Sequence, residues 1–163
     1  MNPNPDFSIP PKTGTIAEFS RRFSQEEVSQ FSSLSQDHNP LHLNSEYAMA
    51  SGFKKPLVHG VLLLSMFSRI FGNLYPGRGS VYLSQSAEFL RPAYVDELIL
   101  ARVKLDDIDP AKKTGSFLTE CFNEAGKKVL SGRAEILFPA GSFPENADNE
   151  SKRPLLLRRP KQL

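Results

Sequence analysis

Hydrophobic and polar positions divide the chain into two halves, one with apolar residues at helical spacing and one with apolar and polar residues in strict alternation. Residues 13–23 are short and mixed, with Ile16 and Phe19 as apolar anchors, and read as an opening strand. Ser24 with Glu27 three positions on is a capping box, in which each side chain satisfies a free backbone N–H at a helix start. Val28, Phe31 and Leu34 follow at intervals of three and predict a helix with that face turned inward. Pro40 pushes Asn39 out of helical geometry, so the helix ends near Gln36 and residues 37–43 become a loop. A second short helix is expected to start at Asn44 or Ser45 and stop at Gly52.

Residues 60–75 carry apolar side chains all round the helical wheel, which predicts a helix covered on nearly every side. Pro76-Gly77 and Gly79 end it. Beyond them the period becomes two. Val81, Leu83, Ala87 and Phe89 alternate with Tyr82, Ser84, Ser86 and Glu88, and Ile99, Ala101, Val103 and Leu105 with Leu100, Arg102, Lys104 and Asp106. Turns are expected from Asp109-Pro110 and between Asn123 and Gly126, and the last strand turns Leu130, Gly132, Ala134, Ile136 and Phe138 inward. The pattern thus predicts an α+β domain, an antiparallel sheet of about five strands around one long central apolar helix. No internal repeat interrupts it.

The 163 residues suffice for one domain, taken as 13–138, after a flexible segment 1–12. From 139 to 163 the chain turns to Gly, Pro, Asn, Ser and charge and is expected to be a disordered basic tail, with five basic and three acidic residues. That difference, 5 − 3 = +2, equals the formal charge of the whole chain, which is too small for a nucleic-acid binder. One cysteine, Cys121, rules out an internal disulfide, and no Cys and His cluster has zinc spacing, so a reducing compartment fits and a structural metal does not. The first ten residues suit neither a signal peptide nor a transit helix, and the longest apolar stretch is broken by Ser65, Ser68, Arg69, Gly72 and Asn73. A soluble intracellular protein without membrane insertion is the expectation.

Chemistry concentrates in two places. Residues 36–42 pack Asp37, His38, Asn39 and His42 beside Pro40, and an acid with an imidazole is the common pairing for moving protons near neutral pH. The same residues are also good turn formers. His59-Gly60 opens the apolar helix, where unpaired N–H groups and the positive end of the dipole suit an oxyanion or phosphate and a glycine leaves the N–H uncovered. Base, acid and oxyanion donor together make a proton-transfer site beside a thioester or other carbonyl.

Asp37-His38-Asn39-Pro40-Leu41-His42, then Pro56-Leu57-Val58-His59-Gly60, then Val81-Tyr82-Leu83-Ser84-Gln85 resemble the motifs of the MaoC-like, type 2 (R)-specific enoyl-thioester hydratases, over about residues 23–138. The resemblance implies a hot-dog fold and reversible hydration of trans-2-enoyl thioesters to (3R)-3-hydroxyacyl thioesters in fatty-acid metabolism. It makes Asp37 and His42 the catalytic pair holding the water, and Gly60 the donor to the thioester oxygen. Asn39 becomes a loop-shaping residue, and Ser68 matches a serine that supports the catalytic acid. Many members carry Gly before the catalytic Asp, whereas Gln36 stands here. His38 is read as a surface residue, His59 as support for the turn into the helix, and Lys54, Lys55 and Arg91 as solvated charges or contacts for coenzyme A phosphates.

The resemblance implies neither metal nor redox cofactor, the acyl group arriving as a coenzyme A or acyl-carrier-protein thioester, and a homodimer, which exposed sheet edges also invite. Similar proteins occur in bacterial cytoplasm and in mitochondria. Two alternatives stay open: a hot-dog acyl-thioester hydrolase, with water sent to the carbonyl carbon, and a non-catalytic acyl-thioester-binding module.

Overall fold

The computed structural model describes residues 11–143. Strand β1 (Ile16–Arg21) leads into helix α1 (Gln25–Ser35) through the predicted capping box, with both reciprocal hydrogen bonds formed. Two short helices follow, α2 (Pro40–Leu43) and α3 (Ser45–Ala50), so part of the expected loop is itself a helical turn. Asn39 caps the first, its side chain accepting from the Leu41 N–H, and Asn44 caps the second. Helix α4 (Gly60–Arg69) runs into one wider π turn over Ile70–Leu74. Strands β2 (Val81–Phe89), β3 (Ile99–Asp109), β4 (Thr114–Phe122) and β5 (Lys128–Leu137) complete the elements of the described residues.

All five strands form one antiparallel sheet in the order β1-β3-β4-β5-β2, leaving β1 and β2 as edges. The two predicted turns close as side chains cap them: the Lys112 N–H donates to Asp109 Oδ1 at 3.0 Å and the Lys127 N–H to Asn123 Oδ1 at 3.0 Å. Helix α4 lays Leu63, Met66 and Phe67, with Ile70 and Phe71 of the π turn, on a sheet face built from Val103, Leu105, Phe117, Leu130, Ala134 and Ile136. Phe71 meets Phe117 edge to face at 4.9 Å. The opposite side of α4 is uncovered among the described residues: Ser65, Ser68 and Arg69 are exposed and Val61 keeps 56% of its surface. The helix is therefore two-sided, with three of its four outward residues polar, and not apolar all round as the pattern predicts.

Several side chains face otherwise than their spacing predicts. Leu34 is 83% exposed, because α1 buries Val28 and Ser32, a pair four apart, while a step of six residues rotates about 120° round the helix. Ile16 points to solvent and Phe19 inward. In β2 a bulge between Tyr82 and Ser84 shifts the alternation, so Tyr82 packs on the core and meets Phe71 at 5.2 Å. Past residue 138, Phe143 packs edge to face on Phe138 at 5.5 Å. The expectations for 1–10 and 144–163 lie outside the described residues.

Candidate active site

Three chain segments are pinned together at the start of α4. The Val58 N–H donates to Ala93 O at 2.8 Å and the Val95 N–H to Pro56 O at 3.0 Å, which fixes the approach to α4 against the loop after β2. The Leu57 N–H donates to Leu41 O at 3.0 Å, and Gln25 Nε2 to His42 O at 2.9 Å, which brings the 37–43 segment alongside. Loop and helix mouth, separate in sequence, share one place because of these backbone bonds.

Asp37, His42 and His59 converge there, with one ligand-type atom from each lying within 4.8 Å of the others. Gln36, at φ 59°, takes the left-handed conformation glycine favours, and so turns the chain out of α1 without the family's glycine. Asp37 is 51% exposed by its side chain, and its Oδ1 accepts the Asn39 N–H at 3.2 Å, an Asx-type turn that holds the carboxylate. Asn39 therefore shapes the loop twice, through its own N–H and as the cap of α2. His42 Nδ1 lies 2.8 Å from Leu57 O. A carbonyl only accepts, so the proton sits on Nδ1 and the Nε2 lone pair is free.

His59 is the residue the sequence undervalues. Its ring does not cap α4; it is buried at 1% exposure, stacked on His42 with centroids 3.7 Å apart and rings 25° from parallel. Its Nε2 lies 3.3 Å from Asp37 O and 3.9 Å from Asp37 Oδ2. Burial, then the neighbouring His42, hold its pKa below the ordinary histidine value. No signal in spacing marked this, since burial and stacking are tertiary facts.

Gly60, the first residue of α4, has an N–H with no intrahelical partner. The Phe89 ring lies against it, so close that a Cβ on Gly60 would stand 2.9 Å from that ring. Ser68, eight residues along, is about 12 Å further down the axis; it is exposed, and its hydroxyl makes no hydrogen bond to Asp37 or His42 among the described residues. The structure does not bring Ser68 to the acid. His38 is exposed, with Nδ1 3.2 Å from Ser32 Oγ. Arg91 spends an N–H on Lys128 O at 2.7 Å, and Lys54 is exposed.

An acid and two imidazoles at such range also invite comparison with a cation site. Asp37, His42 and His59 offer one donor atom each of the kind such a site uses.

Residues 6–121 match the model of the MaoC like domain. The chain belongs to the MaoC-like family. Among its relatives is an (R)-specific enoyl-CoA hydratase of Aeromonas caviae, 38% identical over 128 residues, covering 78% of this chain and 96% of that protein. Another is a mitochondrial 3-hydroxyacyl-[acyl-carrier-protein] dehydratase of Arabidopsis thaliana, 37% identical, covering 78% of each. The solved (R)-hydratase of A. caviae involved in PHA biosynthesis superposes with a TM-score of 0.77 over 78% of this chain and 97% of its own. An unliganded R-hydratase of Pseudomonas aeruginosa, 32% identical, gives 0.75 over 78% and 82%. As a MaoC-like domain the protein has the hot-dog fold, its sheet curled on α4. Among the described residues no helix is long and apolar enough to cross a membrane.

Proposed function

We propose that this MaoC-like protein is an (R)-specific enoyl-thioester hydratase, a 3-hydroxyacyl-thioester dehydratase in reverse, with Asp37 and His42 as its catalytic pair. The observation that carries the reading is the convergence of a carboxylate and an imidazole with a free Nε2 beside an uncapped helix N-terminus. A gap of under 4.8 Å is one that a single water bridges by hydrogen bonds to both groups. The free Nε2 of His42 accepts a proton from that water as its oxygen bonds to C3, and Asp37 orients the second hydrogen. Electrons move from the C2–C3 double bond onto the thioester oxygen as an enolate. The Gly60 N–H and the helix dipole stabilise that charge, a donor of this kind being worth about 3 kcal/mol. The enolate collapses as C2 takes a proton back from the same pair on the same face, which returns both residues to their starting state.

The step uses side chains and one backbone amide, and the acyl carrier belongs to the substrate. Val61 and Phe89 stand exposed beside Gly60, and Leu90 follows Phe89. They supply an apolar wall for an acyl chain, which a second copy of the chain would complete. Crotonyl-CoA tests the reading. The protein is expected to remove the conjugated-enone absorbance without releasing free thiol and to yield the (3R) alcohol. Asp37→Asn is expected to keep the fold and lose about 100- to 10,000-fold in kcat; a near-normal rate in that variant rejects the assignment, and thiol release turns it to a hydrolase.

A further inference from the structure

We propose that His59 is a positioning residue for this pair: its ring hydrogen-bonds the Asp37 main chain to the mouth of α4 while its face sets the tilt of His42. The inference rests on the reading of Asp37 and His42 given above. Asp37 O accepts from two sides, the Ser32 hydroxyl of α1 and His59 Nε2 at 3.3 Å. Since that oxygen only accepts, the proton of His59 sits on Nε2, and Nδ1, buried and without a partner among the described residues, carries the lone pair. The ring is gripped between the edge of Phe31, with centroids 5.0 Å apart, and the face of His42 at 3.7 Å.

A filler residue would meet the packing demand alone. What packing does not supply is control of the Asp37 peptide. The Asp37 side chain is half exposed, so its position follows from its backbone and from the Asn39 N–H. Without the His59 donor, that peptide is held from the α1 side only. The same ring stays neutral: an imidazolium would bury a second N–H with no acceptor and place a charge against His42. A neutral clamp leaves the proton of the reaction on His42, and because His59 directly precedes Gly60, the clamp also sets the span from the acid to the oxyanion donor.

The test is steady-state hydration of crotonyl-CoA by the full chain. His59→Phe keeps an aromatic ring and removes the donor; His59→Gln restores a donor at comparable reach. His59→Phe is expected to lower kcat about 10- to 100-fold, the scale of a small misplacement in a catalytic group, with KM within about threefold. His59→Gln is expected to recover at least half of that loss on a logarithmic scale. An unchanged kcat in His59→Phe, a loss carried by KM, or a Gln variant no better than Phe overturns the proposal. Should His59→Phe melt far below the parent, His59→Gln against His59→Leu, similar in size and different in the donor, is read by the same outcomes. Asp37→Asn run alongside separates the two failures. If it retains activity, the reading of the site falls; if it is inactive while His59→Phe is normal, only the clamp falls.

Discussion

At Gly60 the proposed function turns on a single missing side chain. The Cβ that Gly60 lacks would stand 2.9 Å from the far edge of the Phe89 ring, and that ring is 53% exposed and free to swing outward. Gly60→Ala is therefore expected to cost less than the about 1–3 kcal/mol of overpacking a closed core. Its methyl would nevertheless stand beside the N–H proposed to receive the thioester oxygen. A fall in kcat/KM of about tenfold or more, with thermal unfolding little changed, is the expected pair of measurements. Adding Phe89→Ala removes the clash and should leave the activity low; recovery would mean that the ring, and not the amide, limits the rate. Asp37, His42 and Gly60 were legible as candidates because acid and imidazole share one loop and a glycine opens the helix, while the roles proposed for them come from the family resemblance. His59 was not, since its part depends on a stack with His42 and on a backbone oxygen that only folding brings near.

At the level of elements, local rules did well where partners are near in sequence. The capping box of α1 is one: Glu27 is held below its ordinary pKa of 4.5, first by the Ser24 N–H and then by Arg21. A carboxyl whose pKa is depressed on folding contributes stability above its unfolded value and loses it as pH falls through the folded one. Ser24→Ala is expected to cost about 1 kcal/mol at neutral pH by urea unfolding. Glu27→Gln is expected to be less stable than the parent at pH 7 and to converge on it as pH falls through the depressed pKa of Glu27, below which both side chains are uncharged. A gap that persisted in acid would place the contribution elsewhere than in the charge. Elements were misread where a partner lies far off in sequence. The bulge in β2 is set by the pairing of Tyr82 with Ile136 and Ser84 with Glu135, and no periodicity within β2 reveals it. Leu34 was assigned inward by its spacing, although α1 turns only Val28 and Ser32 to the core.

For the molecule as a whole, the apolar residues left exposed become an argument about assembly. The described residues cover one side of α4, and on the other Val61 stands 56% exposed among Ser65, Ser68 and Arg69, with Phe89, against Gly60, and Leu90 exposed as well. Beside them, among the described residues, β2 is an edge strand with β5 as its one partner in the sheet. An open edge and an apolar patch together favour association with a second copy through a two-fold contact. The homodimer proposed here would cover the exposed side of α4 and wall the acyl chain beside Gly60. Sedimentation velocity is expected to give about twice the 18.2 kDa chain mass. Val61→Asp places a charge in the covered patch without touching the buried residues of α4, so the monomer should fold with normal circular dichroism while the dimer dissociates. Hydratase activity should then rise with protein concentration as dimer re-forms. A parent chain that is monomeric and fully active at nanomolar concentration would show that α4 needs no partner, and a dimeric Val61→Asp variant would move the interface away from this face.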